Sequence, residues 1–423
     1  MAARGDAMTQ AVRSSPPPET GEEMLPPLPR AVAAFAFLMV AEFFYSWAWY
    51  SVDVLRPFVR DALHLTLTEA GSGYTAQGAG ALIGAVLVGQ LADRVGRRAM
   101  LSVVMIGYGL GLLSGVVVAS YPQYLAQRFV LGLFLGGIFP VVVGIYVGLF
   151  RSNVRGRLAS LIYSVASLGV VMQGLALTRI EPQDWKLLLW IGGVPPVLLA
   201  VVVWRIIPAT AAPARHRGAA KLPVMELFAP AVKRRTLALV SLTGLNFFGY
   251  QAFSGWLTTY LRDSQHLAPA AVGSIVAGVS TANLVGGLFW GWTNDRFGRR
   301  FNAIGFVLTA AVIAVFVSLP ADPRWLGALG LAYGFAVAAS VAWGPWLTEL
   351  YPPHLKSTAA SIFNWGRIVS MFAPIVTGAL AGSFGLAAAM LSGCAVFLMA
   401  ALIWLTLPET HPAPLRLGRG QGA

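Results

Sequence analysis

Apolar runs of about twenty residues recur along the chain, separated by short clusters of arginine, aspartate, glycine and proline. A helix rises 1.5 Å per residue, so roughly 20 residues cross a hydrocarbon core about 30 Å thick. Runs such as LSVVMIGYGLGLLSGVVVAS, from Leu101 to Ser120, are continuously apolar and lack the alternation that a membrane β-barrel strand requires. The pattern predicts twelve crossings, near 31–55, 70–91, 99–119, 122–150, 157–178 and 187–207, then 236–261, 269–293, 302–320, 325–350, 357–380 and 385–407. The fold class is therefore an all-α polytopic membrane protein. Residues 1–30, rich in Pro, Glu and Ser, read as a disordered cytoplasmic tail. The Ala/Pro-rich basic stretch 208–235 reads as a cytoplasmic linker between a bundle over 31–207 and a bundle over 236–407, with a second tail over 408–423.

Composition removes the main competing class. Over 423 residues, apolar types make up 57% and Asp, Glu, Lys and Arg only 11%, against about 25% charged in a soluble domain. The net charge of +13 does not point to nucleic acid, because the basic residues punctuate the apolar runs instead of forming one patch. With both termini inside, the inner loops hold Arg94, Arg97, Arg98, Arg151, Arg155, Arg157, Arg205, Arg215, Arg217, Lys221, Lys233, Arg234, Arg235, Arg296, Arg299, Arg300 and Lys356. The outer loops hold Arg56, Arg60, Arg179, Lys186, Arg262 and Arg324, so the positive-inside rule places both termini in the cytoplasm, in a cell (inner) membrane. A single cysteine, Cys394, allows no intrachain disulfide.

The two halves repeat. GQLADRVGRR from Gly89 matches GWTNDRFGRR from Gly291, 202 positions later, each copy following the second crossing of its half. Arg155, before the fifth crossing, corresponds at nearly the same offset to Lys356, before the eleventh. Parallel six-helix repeats imply a pseudo-two-fold axis along the membrane normal and a pathway between the halves. Glycine in such a loop permits a tight turn, and an acid among arginines can pair with one of them or sit at a helix N-terminus. These contacts can break and remake, which marks Gly89, Asp93, Arg94, Gly96 and Arg97 and their counterparts Asp295, Arg296 and Arg299 as gating candidates.

On Gly89, Leu91, Ala92, Asp93, Arg94, Gly96, Arg97 and Arg98, with a looser copy from Gly291 to Arg300, the chain resembles the major facilitator superfamily. The resemblance covers about 31–408. It implies two pseudo-symmetric six-helix bundles that work by alternating access. RFVLGLFLGGIFP (Arg128 to Pro140), ELYPPHLKSTAASIFNWGRI (Glu349 to Ile368) and PET at Pro408 to Thr410 are similar to patterns shared by sugar porters and metabolite:proton symporters. Two departures stand out. Gly148 occupies the place of an expected acid seven residues before Arg155, although Glu349 is present before Lys356, so the inner charge network is expected to be lopsided. NFFGYQ, from Asn246 to Gln251, replaces the double glutamine of sugar porters.

Ionisable residues at membrane depth are costly and mark function. Glu42 lies about 18 Å along its helix from Arg30, near the midplane, and is a candidate proton carrier. Arg367 lies about 16 Å past Lys356, also near the midplane, where its guanidinium fork suits a substrate carboxylate. Arg128, about 10 Å below the outer edge of the fourth crossing, serves either coupling or helix packing. Asp53, nearer the outer end of the first crossing, reads as a mouth or interface residue. Asn364 shares a face with Arg367, Tyr74 with Gln77, and Asn246 with Tyr250, while Asn283 falls midway along the eighth crossing; each binds substrate or a neighbouring helix. Trp47, Trp49, Tyr50, Trp256, Trp343 and Trp346 line the pathway or pack in the core. The spacing of Gly80 with Gly84 and Gly132 with Gly136 is that of close helix packing.

No P-loop, H-E-x-x-H or G-x-S-x-G motif is present, and His64, His216, His266, His354 and His411 form no ligand spacing, so no enzyme, metal or cofactor is expected. The expected partners are a small-molecule substrate, a proton and the lipid bilayer, with a functional monomer. The expectation is a secondary transporter, coupling a proton to a small organic anion such as a monocarboxylate, with Glu42 taking the proton and Arg367 the carboxylate. The alternatives are a sugar or polyol transporter, a drug efflux pump and a transport-inactive membrane sensor.

Overall fold

The computed structural model describes residues 26–150, 152–208, 223–320, 322–343, 346, 349–352, 355, 358–359 and 362–410. The terminal segments of the two expected tails and the middle of the expected linker lie outside these residues. The first half contains α1 (Leu28–Val54), α2 (Arg56–Leu63), α3 (Leu67–Val95), α4 (Arg97–Leu113), α5 (Tyr121–Leu149), α6 (Ser152–Leu177) and α7 (Leu187–Ile206). The second contains α8 (Lys233–Phe253), α9 (Pro269–Phe297), α10 (Ala303–Ser318), α11 (Pro323–Val337), α12 (Ile362–Ser370), α13 (Ala373–Phe384) and α14 (Leu386–Thr406).

Ten of the described helical stretches are long and apolar enough to span a membrane, α12 and α13 together making one. The other two crossings are α6 and α8, the latter opening on Lys233, Arg234 and Arg235 and carrying the polar residues Asn246, Tyr250 and Gln251. The result is the expected twelve-helix membrane fold, with α2 as an added short helix between the first two crossings.

The helices meet where glycine removes the side chain. A Cβ at Gly84 would lie 1.9 Å from the Leu133 carbonyl oxygen, and one at Gly136 would lie 1.9 Å from that of Ala81, so α3 and α5 touch backbone to backbone. The same device joins the halves. Gly71 and Gly78 on α3 admit Pro374 and Met371, Gly378 on α13 admits Leu67, and Gly174 on α6 faces Gly273 on α9.

Three expected boundaries shift. The second crossing continues through Gly89 to Val95, so Gly89 is inside a helix and Gly96, at φ 100°, makes the turn. Gly298 repeats that geometry at φ 93°, a backbone region that glycine enters freely. The seventh crossing leaves regular α geometry after Phe253 and continues through a tighter turn and then a wider one, Tyr260–Ser264. The break includes Gly255, whose missing side chain leaves room for Gln251 and Asp53. The eleventh crossing is broken between Ser370 and Ala373, because Pro374 has no N–H to continue the hydrogen-bond ladder. The Met371 carbonyl at this break accepts a hydrogen bond from Thr75 of the opposite half at 2.6 Å.

Candidate functional site

One face of α1 carries Glu42, Tyr45, Trp49 and Asp53, at the i, i+3, i+7, i+11 spacing that aligns side chains along a helix. Opposite them is Arg367, in the last turn of α12, where a cation is favoured by the helix dipole. Its guanidinium lies 5.5 Å from the Trp49 ring centroid and 6.0 Å from that of Phe247, with the Tyr45 hydroxyl as a hydrogen-bond partner. Glu42, buried and with Oε2 lacking a hydrogen-bond partner, is within electrostatic reach of the same guanidinium. The ring of Phe247 stands edge-on to Trp343, and Trp49 stands edge-on to Tyr74. This cluster draws on both halves of the molecule: a cation and an acid between aromatic walls.

A second buried charge cluster lies toward the far end of α1. Arg56, with a fully buried side chain, donates to Asp53 at 2.6 Å and stacks over the Trp256 ring at 4.5 Å. Arg128 donates to Ser51 at 3.0 Å and to Gln77 at 3.5 Å, and is within electrostatic reach of Asp53. The Gln251 amide hydrogen-bonds both Asp53 and the Tyr74 hydroxyl, and Tyr250 pairs with Tyr50. Of the two readings, mouth or interface, the buried Asp53 takes the second, in a charge cluster that reaches the other half through Gln251.

The remaining candidates separate. Gln77 spends its amide on the Trp49 carbonyl, 2.9 Å away, and on Arg128, so it packs the first half. Asn283 donates to the Gly334 carbonyl of α11 at 3.3 Å, the helix-bonding reading. Asn246 is buried with Oδ1 unpartnered. Lys356 lies outside the described residues, as do the side chains of Asn364, Asp93 and Arg155. Tyr45, Phe247 and Gln251 were not singled out in the sequence. The first was legible from its spacing to Glu42 and Trp49; the other two needed the path of α8.

The two copies of the repeated loop behave differently. Arg97 donates to the Gly144 carbonyl at 2.6 Å. Its counterpart Arg299 pairs with Asp295 at 3.0 Å and with Glu349 at 2.7 Å, Glu349 being bonded in turn to Thr410. Glu409 accepts from the backbone N–H groups of Arg299 and Arg300, both at 2.9 Å, neutralising the start of the helical segment leading into α10. Arg94 and Arg296 are exposed, Arg296 lying against Trp292 and Phe297.

At the opposite end the halves are tied by charge. Arg60 pairs with Asp263 at 2.9 Å and Arg262 with Asp61 at 2.5 Å, and Arg262 covers the Phe58 ring at 4.6 Å. The residues are repeat partners, since FVRDALHL and YLRDSQHL align at the offset of 202. His64 and His266 at their ends share a left-handed φ of 53°. The pairing is therefore reciprocal, as across a two-fold axis. Burial pushes the Asp263 carboxyl up, against the pull of Arg60 and Arg262.

Known proteins show the same plan. The model of the Major Facilitator Superfamily matches residues 38–268 and 239–422. A probable 4-methylmuconolactone transporter of Cupriavidus pinatubonensis is 30% identical, over 86% of this chain and 89% of that protein. A cis,cis-muconate transport protein of Acinetobacter baylyi is 27% identical, over 84% and 89%. Among solved structures, a bacterial homolog of the human lysosomal transporter Spinster, inward-facing and unoccupied, superposes with a TM-score of 0.76 at 14% identity, over 90% of this chain and 97% of that one. With a family model spanning nearly the whole length, and the loop signature repeated in both six-helix halves, the chain belongs to the major facilitator superfamily of membrane transporters.

Proposed function

We propose that the protein is a secondary active transporter that moves a small, planar organic acid together with a proton, by rocking its two halves about the Glu42–Arg367 cluster. The observation that carries this is the setting of Arg367: a guanidinium between halves, flanked by Trp49 and Phe247 and beside Glu42. A guanidinium fork matches a carboxylate, and aromatic faces suit a flat conjugated body. The names of the relatives, which refer to muconate and a muconolactone, are consistent with this class. The absence of the double glutamine of sugar porters disfavours a neutral sugar.

In this reading Glu42 takes the proton and releases its hold on Arg367, which then binds the substrate carboxylate. The empty charged site and the loaded site differ in their cost of rocking, which is the physical basis of coupling. Asn246, Tyr250 and Tyr74 offer polar contacts around the same space. The arginine-rich loops lie in the cytoplasm with both termini, the membrane is the inner one, and the working unit is a monomer. The contacts of Arg97, Asp295, Arg299 and Glu349 break and remake at that face, where the gating candidates Asp93 and Lys356 also fall in the sequence.

The test is uptake of labelled aromatic and unsaturated carboxylates, and of sugars, by the reconstituted protein, with and without an inward proton gradient. Gradient-stimulated carboxylate uptake is expected, abolished in Arg367→Ala and uncoupled from proton movement in Glu42→Gln. Unchanged carboxylate-driven proton uptake in Glu42→Gln, or gradient-independent uptake of a neutral solute, refutes the reading.

A further inference from the structure

The first half contains a cavity of about 240 Å³ apart from the Glu42–Arg367 cluster. Its exposed rim is Ala62, Ala119 and Lys186, and its buried floor includes Tyr124, Gln127 and Arg128. No carboxylate lines it, whereas two cations do.

Charge balance gives the cavity a purpose. Asp53 is shared by Arg56 and Arg128, both buried, so two guanidinium groups have one carboxylate between them. Arg56 spends Nη2 on Asp53 and turns its face to Trp256. Arg128 spends Nη1 on the neutral oxygens of Ser51 and Gln77, has the side chain of Tyr124 as a further hydrogen-bond partner, its ring centroid 5.5 Å away, and leaves Nε without a partner. A guanidinium that shares its one carboxylate with a second arginine is only partly compensated, and a bound counter-ion can offset the remainder. The Arg128 side lies on the floor of a cavity whose mouth carries a second cation. Lys186 at that mouth donates to the Val116 carbonyl at 2.8 Å, which holds it in place.

We propose that this cavity is a binding site for a small anion, a halide or a short carboxylate, which complements the charge that Asp53 leaves on Arg128. A cavity of this size accommodates such an ion with several waters, at about 30 Å³ each. The site is separate from the Glu42–Arg367 cluster and does not depend on what that cluster binds. Gly115 provides a way to fill it, since a Cβ there would lie 3.3 Å from Leu189 Cδ1 and 3.6 Å from Gln127 Nε2, on the cavity wall.

The experiment is thermal unfolding of the purified full-length protein as gluconate is replaced, at constant ionic strength, by chloride or by acetate. The expected result is a saturable rise in Tm of about 2–4 °C. The rise is lost in Lys186→Gln, whose side chain is exposed and whose fold is not at risk, and in Gly115→Leu, and it persists in Arg367→Ala. A response to acetate as well as chloride assigns a general small-anion site, and a response to chloride alone assigns a halide site; either supports the proposal. Absence of a saturable response in the unsubstituted protein, an undiminished response in both cavity variants, or loss of the response in Arg367→Ala overturns it.

Discussion

Reversing the charge of Asp61 is expected to open the end of the molecule where the halves are tied. Asp61 and Arg262 face each other across the halves at 2.5 Å, the carboxylate 45% and the guanidinium 24% exposed. A partly exposed pair of this kind contributes about 0.2–1 kcal/mol, and placing like charges there adds repulsion of similar size. Asp61→Arg should therefore cost the closed arrangement about 0.4–2 kcal/mol, a roughly 2- to 30-fold change in its population relative to the open one. Asp61 is the better arm to perturb because the burial of Asp263 offsets part of its attraction to Arg60. Spin labels on cysteines at His64 and Ser264, one on each half, report the separation by pulsed electron–electron resonance. A population at longer distance should grow in D61R and in R262D and shrink again in the exchanged pair D61R/R262D. Unchanged distance distributions in both single variants, or a double variant that simply sums them, would refute the idea that reciprocal pairing holds this end together.

Three further outcomes follow from particular contacts. Gly136→Leu should prevent α3 and α5 from meeting and remove folded protein from the membrane fraction, since even a Cβ lies 1.9 Å from the Ala81 carbonyl; yield on size-exclusion chromatography reads this directly. Thr75→Val removes the hydrogen bond to the Met371 carbonyl and should lower stability by about 1 kcal/mol, visible as a reduced Tm. Burial acts to raise the Glu349 carboxyl, but hydrogen bonds from Arg299 and Thr410 and the Arg299 charge outweigh it and hold it below its ordinary value. Its stabilising contribution is thus present at neutral pH and lost as pH falls through that lowered value, so the Tm of the unsubstituted protein should drop more steeply below pH 5 than that of Glu349→Gln.

The crossings were legible because hydrocarbon thickness imposes one length scale on every apolar run, and the loop repeat was legible because its glycines and arginines are few and fixed in spacing. The breaks were not. The interruption at Met371 is signalled by Pro374, but which group satisfies the freed carbonyl depends on Thr75, nearly 300 residues away. Arg367 and Glu42 were readable as costly charges at depth, whereas their aromatic flank required knowing that Trp49 and Phe247 approach from opposite halves. For Asp53 the sequence leaves mouth and interface open, because distance along a helix says nothing about what folds over its end; here Trp256 and Gln251 do. The reciprocal pairs were present in the sequence as R-D repeated at the offset of 202, a signal that counting charge for topology alone passes over.

The bond from Thr75 to Met371 makes the break in the eleventh crossing a mechanical joint as well as an irregularity. The carbonyl it holds is four residues beyond Arg367, on the same backbone. If the halves turn about this point, it is a fulcrum and Arg367 moves little; if the bond is released, the short helix Ile362–Ser370 is free to tilt as a lever and carries its guanidinium with it. In the first case the charge marks the pivot; in the second its position follows the angle between the halves, with the threonine hydroxyl as the catch.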